Sequence, residues 1–260
     1  MIFDTHAHYD DERFDPDRFE VLAALPGAGI GHIVMPSTGP DNLETVLSYA
    51  DQIDFLSAGA GFHPHSAKKV ASGDLDKLSE FLGNAQENKI VAIGECGLDY
   101  HYGQEDKAEQ KELFDVQLSL AGQMGLPLLV HDREAHSDCL DMLRAHKGLK
   151  GVFHCYSGSA EMVREIVDMG FYISFTGPVT FKTAHKLRLA AAAVPDEFLM
   201  IETDAPYLAP EPMRGKRCDS RMLVHILRVL AEVRGTDYDM LEKLTWNNAM
   251  KFFGIKNNGE

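Results

Sequence analysis

The chain begins with MIFDTHAH, residues 1–8, where a short apolar stretch leads directly into two histidines. Ile2 and Phe3 are typical of a buried strand, and residues two apart in an extended strand point to the same face. His6 and His8 are therefore predicted to project together from the end of that strand. Two neutral imidazoles that converge in this way can bind a divalent metal ion. Alone, the pattern is also compatible with two surface or hydrogen-bonded histidines. Whether these histidines bind a metal depends on further candidate ligands elsewhere in the sequence.

Short apolar runs alternate with longer amphipathic stretches along the 260 residues. Continuous apolar runs indicate parallel strands that are buried on both faces. Eight runs, each followed by a helical pattern, predict an α/β fold of the (β/α)8 or TIM-barrel class, with additional C-terminal helices over 220–234 and 238–253. Because such barrels commonly reach about 250 residues as one unit, we predict a single domain over residues 1–260. The predicted strands are Ile2–Phe3, His32–Met35, Phe55–Ala58, Ile90–Ile93, Leu126–Val130, Gly151–Phe153, Tyr172–Phe175 and Phe198–Ile201.

The composition restricts the classes of protein to consider. A formal net charge of -15 argues against a broad basic face for nucleic acid, although bound cations can still hold a polyanion at one site. We see no secretory leader, and no apolar run approaches the length of a membrane span. The four cysteines form no C-x-x-C pair, which predicts reduced thiols and a cytoplasmic location. Because no apolar run is long enough to span a membrane, we expect no membrane partner. We expect a monomer.

Histidines and carboxylates follow one predicted strand after another, at the end where such barrels carry their active sites. Six candidate ligands exceed the need of one tetrahedral zinc and suit two divalent ions. Glu95 can bridge ions roughly 3.5–4 Å apart, while Asp204 can bind one ion and accept a proton from an activated water. These two carboxylates are the predicted catalytic residues, and hydrolysis is the predicted reaction. The candidate metal ligands are His6, His8, Glu95, His131, His154 and Asp204.

Three further polar residues lie at the same end of the predicted barrel, His63 and His65 after the third strand and Arg133 after the fifth, and each has two possible roles. His63 and His65 either contact a substrate or orient the metal ligands. Arg133 either contacts a substrate phosphate or forms a structural ion pair. The cationic loop 213–217 follows the eighth strand, and its position favours contact with a nucleic-acid backbone over a merely solvated loop.

Six motifs, in this order, resemble those of the TatD family of metal-dependent deoxyribonucleases, and the similarity spans the whole chain. They are DTHAH at 4–8, GFHPH at 61–65, GECGLDY at 94–100, HDREA at 131–135, HCYSG at 154–158 and ETDAPYLAP at 202–210. The resemblance implies two divalent ions (magnesium, manganese or zinc) and 3'-5' exonuclease-type cleavage of DNA, single-stranded or at 3' ends. It implies the same six metal ligands, with His63, His65 and Arg133 lining the substrate pocket.

The chain departs from the family pattern in two places. Cys96 stands where the fourth strand's motif usually has isoleucine, a change of packing residue. Residues 218–220 read Cys-Asp-Ser where the family typically has Asn-Glu-Pro, which bears on substrate range more than on hydrolysis.

Three other functions compete with the nuclease. The first is a small-molecule amidohydrolase, but many of these bridge their metals with a carbamylated lysine at the place that Glu95 holds. The second is an ester-cleaving aminoacyl-tRNA deacylase on the same barrel. The third, a non-catalytic binding module, is disfavoured because all six candidate ligands are present.

Overall fold

The computed structural model of the protein describes residues 1–103 and 105–256. Across these residues strand and helix alternate from the first pair to the eighth, and a ninth α-helix follows. The strands are β1 (Ile2–Asp4), β2 (Ile30–Pro36), β3 (Leu56–Ala60), β4 (Ile90–Asp99), β5 (Leu128–Arg133), β6 (Gly151–Phe153), β7 (Tyr172–Phe175) and β8 (Leu199–Ile201). The helices are α1 (Arg18–Ala24), α2 (Pro40–Gln52), α3 (Ser72–Gly83), α4 (Lys107–Met124), α5 (His136–Ala145), α6 (Ala160–Asp168), α7 (His185–Ala193), α8 (Leu223–Arg234) and α9 (Tyr238–Phe253).

The chain divides into two compact units, each with its own parallel strands. The first unit consists of Met1–Val34 and the chain from Cys155 onward, and the second is Met35–His154. In the first unit β1 pairs with β2 and β7 pairs with β8, while a bridge between Ala7 and Ala205 joins the ends of β1 and β8. In the second unit β3, β4, β5 and β6 pair in that order. The single domain over 1–260 stays a prediction.

The core of the first unit includes an aromatic group between β1 and α9. The ring of Phe3 lies 5.7 Å from that of Trp246 and is stacked on that of Phe253, with centroids 5.6 Å apart. A Cβ atom at Gly31 would lie 2.7 Å from the Trp246 ring, so this position of β2 has room only for glycine. The second C-terminal helix therefore covers the strand that leads into the His-x-His sequence.

Strand β4 is longer than the apolar run that predicted it. It continues six residues beyond Ile93, and its pairing with β5 includes Gly97 opposite His131 and Asp99 opposite Arg133. Polar residues expected after the strands therefore lie within them. Their backbone groups continue the hydrogen-bonded ladder although the side chains are no longer apolar, because the ladder depends on the main chain.

The first of the two predicted C-terminal helices begins later than the sequence indicates. Helix α8 begins at Leu223, because residues 220–222 form a 3-10 turn whose N-terminus is capped by Asp219. Helix α9 has the predicted bounds. None of the described helices is both long and apolar enough to cross a membrane.

Candidate active-site residues

The first unit brings together His6, His8 and Asp204. The Nε2 atoms of the two histidines are 3.1 Å apart, and Asp204 Oδ1 lies 3.8 Å from His6 Nε2 and 3.5 Å from His8 Nε2. The backbone N–H of Asp204 donates a hydrogen bond to the carbonyl of His6, and Asp204 has a positive φ of 58°. Two imidazole nitrogens and one carboxylate oxygen thus converge closely enough for one divalent ion.

A buried carboxylate, Asp4, connects the two chain segments that carry these residues. Asp4 Oδ2 accepts hydrogen bonds of 2.6 Å from the hydroxyls of Thr203 and Ser220, and Oδ1 accepts from the backbone N–H of Thr203 at 2.9 Å. Oδ1 also accepts from the N–H of His6 at 3.4 Å. Burial raises the pKa of Asp4 to about 7, against the lowering effect of the bonds from Ser220 and Thr203. The residue preceding Asp204 is therefore fixed to the strand that leads to His6.

We expect Ser220→Ala to reduce the free energy of unfolding by about 1–2 kcal/mol, because it removes one donor to buried Asp4. The same change leaves the Tyr9 hydroxyl without its 2.8 Å partner in Ser220 Oγ. Urea denaturation at neutral pH measures the effect. Ser72→Ala, at the exposed first position of α3, is the control and should stay within about 0.5 kcal/mol of the wild type. Equal stability of Ser220→Ala and Ser72→Ala would show that the bond to Asp4 contributes nothing.

The second unit brings together Glu95, His131 and His154. Glu95 Oε1 lies 2.6 Å from His131 Nδ1 and 2.9 Å from His154 Nε2, and the two nitrogens are 3.1 Å apart. Glu95 and His131 face each other from β4 and β5, while His154 follows β6 directly. This is again a set of two imidazoles and one carboxylate, and it is largely buried.

Asp99 is a residue of this region that the sequence analysis did not propose. Its Oδ2 lies 3.1 Å from His131 Nε2 and 3.2 Å from His65 Nε2, so His131 contacts Asp99 with one ring nitrogen and Glu95 with the other. His63 Nε2 lies 3.6 Å from Glu95 Oε1. The missed signal was the spacing of Glu95 and Asp99, because residues four apart in a strand project on the same side.

Burial and neighbouring charges set the protonation of these groups. Burial, together with nearby His131, lowers the pKa of His63 well below its usual value, so His63 is neutral at physiological pH. Burial alone would raise the pKa of Asp99, but hydrogen bonds from His131 and His65 hold it far below its usual range. Burial likewise opposes the charged form of His131, but hydrogen bonds with Asp99 and Glu95 raise its pKa overall. A metal ion at His131 Nδ1 therefore has to compete with a proton.

Arg133, the last residue of β5, lies beside an exposed aromatic ring. Its guanidinium carbon is 5.3 Å from the centroid of Tyr102, and its Nη1 is 3.5 Å from the Tyr102 hydroxyl. Within residues 1–103 and 105–256, none of the ion pairs includes Arg133. This favours a role in substrate contact over the structural ion pair.

The cationic loop 213–217 is only in part available to a polyanion. Arg217 forms a bidentate ion pair with Asp17, with two bonds of 2.7 Å, and its guanidinium lies 4.6 Å from the centroid of Phe14. Arg214 lies over the ring of Phe181 at 4.3 Å. Arg217 therefore has a structural role, which the sequence analysis had not assigned to it.

Comparisons with known proteins give a consistent result over nearly the whole chain. A family model described as TatD related DNase matches residues 3–254. The chain is 36% identical over 257 residues to "Uncharacterized metal-dependent hydrolase YabD" of Bacillus subtilis (strain 168), covering 98% of this chain and 100% of that protein. It is 34% identical over 263 residues to "3'-5' ssDNA/RNA exonuclease TatD" of Cronobacter sakazakii, covering 98% of each.

Solved structures agree on the fold. The crystal structure of YjjV, a TatD homologue from Escherichia coli K12, matches with a TM-score of 0.92 and 30% identity over 98% of each chain. The hydrolase of the TatD family from Entamoeba histolytica matches with a TM-score of 0.86 at 23% identity, over 96% of this chain and 97% of that one, which supports the fold alone. The predicted (β/α)8 class with additional C-terminal helices is confirmed.

Proposed function

Because this chain belongs to the TatD-related DNase family, we propose that it is a 3'-5' exonuclease that cleaves phosphodiester bonds of single-stranded DNA. The family membership confirms the resemblance seen in the six motifs, and with it the class of enzyme, a metal-dependent hydrolase acting on ester bonds. The polarity and the nucleic-acid substrate of the proposal are supported by the Cronobacter relative, which is named as a 3'-5' ssDNA/RNA exonuclease.

The observation that carries the proposal is the presence of two similar donor sets. We assign one divalent ion to His6, His8 and Asp204, and a second to Glu95, His131 and His154. Each set offers two imidazole nitrogens and one carboxylate oxygen within 3.8 Å of one another. Imidazole and carboxylate ligands suit zinc and manganese, and magnesium where water completes its shell. The donor atoms of both sets therefore fit a divalent ion, and magnesium, manganese and zinc are the candidates.

When bound, such ions supply Lewis acidity toward a phosphoryl oxygen and lower the pKa of a coordinated water. The Asp204 carboxylate is proposed to accept the proton of the attacking water. Glu95 keeps His131 and His154 in one orientation through its short contacts with both rings.

The remaining predicted site residues are assigned to the substrate. Arg133 presents five N–H donors in a planar fork, which suits a non-bridging pair of phosphate oxygens. Neutral His63 can donate one hydrogen bond to the substrate, and His65, held by Asp99, can donate another. Arg133 supplies local positive charge, and all three residues supply hydrogen-bond donors, in a chain whose formal net charge is -15.

We further propose a monomer in the cytoplasm. The four cysteines are free thiols, and three of them, Cys96, Cys139 and Cys218, are buried. Free thiols of this kind are typical of a reducing compartment.

Hydrolysis of 5'-labelled single-stranded DNA by metal-stripped protein tests the proposed function. We expect no cleavage without metal, and a ladder that shortens from the 3' end when Mg²⁺, Mn²⁺ or Zn²⁺ is added back. RNA of the same sequence and an oligonucleotide blocked at its 3' end are the matched substrates. If none of the three ions restores cleavage although elemental analysis shows metal bound, the nuclease is excluded, and a small-molecule ester or amide becomes the substrate to seek.

A further inference from the structure

Tyr102 is a large aromatic side chain that the fold does not bury. It lies between β4 and α4, and 74% of its surface is exposed. Single exposed apolar residues are common in soluble proteins, so exposure alone has no functional meaning. The neighbours of this ring are what distinguish it.

The ring of Tyr102 contacts two histidine rings. The ring of His65 meets it nearly at right angles with centroids 5.3 Å apart, and that of His101 does so at 4.8 Å. The backbone N–H of His101 donates to Asp99 Oδ1 at 2.9 Å, and the His101 side chain contacts Glu134 at 2.6 Å. These contacts, with the Arg133 guanidinium over the ring 5.3 Å from its centroid, position the tyrosine while most of its surface stays exposed to solvent.

The groups beside the ring are those assigned to the substrate. The Arg133 guanidinium lies 5.3 Å from the Tyr102 centroid, and His65 contacts both the ring and Asp99. A single nucleotide carries a phosphate and a base on the same sugar. A cation that holds the phosphate and an open aromatic ring that stacks on the base must therefore be neighbours, as Arg133 and Tyr102 are.

We propose that Tyr102 is the stacking platform for an unpaired nucleobase at the 3' end of the substrate, an inference that rests on the proposed exonuclease function. Every base has a π-face, so this contact tolerates any sequence. It requires a base that is not paired within a duplex, and so it selects single-stranded ends. The guanidinium of Arg133 adds a favourable interaction between a cation and an aromatic ring.

The test compares Tyr102→Ala and Tyr102→Phe on two oligonucleotides, one normal and one with an abasic 3'-terminal nucleotide. On the normal substrate, Tyr102→Ala should raise KM by about fivefold to a hundredfold and change kcat little, because stacking contributes to binding. Tyr102→Phe should behave as the wild type, since it keeps the ring. Phe19→Ala, at an exposed position of α1, is the matched control and should have no effect.

Removal of the base provides a second and independent criterion. The wild type should lose as much affinity on the abasic substrate as Tyr102→Ala loses on the normal one, and the two changes together should cost no more than either alone. Additive losses, or an unchanged KM for Tyr102→Ala, would overturn the assignment of Tyr102.

Binding of the same oligonucleotides, measured by fluorescence anisotropy, separates this inference from the proposed function. A wild type that binds the normal strand more tightly than the abasic one, but cleaves neither with any ion, would disprove the nuclease and keep the stacking site. A wild type that binds neither strand would overturn both.

Discussion

Asp204→Asn is expected to lower kcat by at least about a thousandfold while the protein stays folded. The change removes the anionic oxygen that faces His6 and His8, and with it the proposed proton acceptor. The fold should survive because asparagine tolerates the positive φ of 58° found at this position. Steady-state kinetics on labelled DNA, with circular dichroism of the same sample, measures both parts of the prediction.

Asp168→Asn is the control for Asp204→Asn, because Asp168 is an exposed carboxylate at the end of α6. It should keep full activity. An Asp204→Asn variant that turned over DNA at a near-normal rate would show that another group accepts the proton and that the first donor set is not needed for catalysis.

Gly97→Ala is expected to reduce the free energy of unfolding by about 3 kcal/mol or more, which corresponds to a Tm lower by about 10 °C. Gly97 has a φ of 145°, and a Cβ atom there would lie 2.0 Å from the carbonyl oxygen of His131. The variant therefore has to strain β4 or displace β5 where it carries His131. Thermal unfolding followed by circular dichroism measures the loss, and metal content per chain should fall with it.

Gly73→Ala is the matched control, because an added Cβ at this exposed position of α3 meets no atom within 4 Å. Its Tm should equal or slightly exceed that of the wild type, since alanine favours helix more than glycine does. If Gly97→Ala melted at the wild-type temperature, the close approach of β4 to His131 would not constrain the fold.

The order and type of the elements could be predicted because they depend on apolar periodicity, which the sequence shows directly. The end of β4 could not, because residues 94–99 contain glycines and carboxylates that are typical of a loop. What extends the strand is its pairing with β5, a contact between residues more than thirty positions apart. Local propensity gives no information on such pairing.

In the candidate site, too, local sequence patterns predicted some residues, while others depend on contacts between distant parts of the chain. His6, His8 and Glu95 could be proposed from their positions after apolar runs, whereas Asp99 follows no such run and only its spacing from Glu95 indicates it. Arg217 was misinterpreted for a related reason. Its partner Asp17 is 200 residues away in the sequence, so a structural ion pair looked like part of a free cationic loop.

The aromatic group between β1 and α9 has an optical consequence. Trp246 is the single tryptophan of the chain and belongs to the first unit, whereas residues 35–154 contain tyrosine as their strongest emitter. Tryptophan emission therefore reports on the packing of α9 against Phe3. The unit that contains Tyr102 has no tryptophan whose emission a bound nucleotide could quench. Binding at Tyr102 therefore has to be followed with a label on the oligonucleotide.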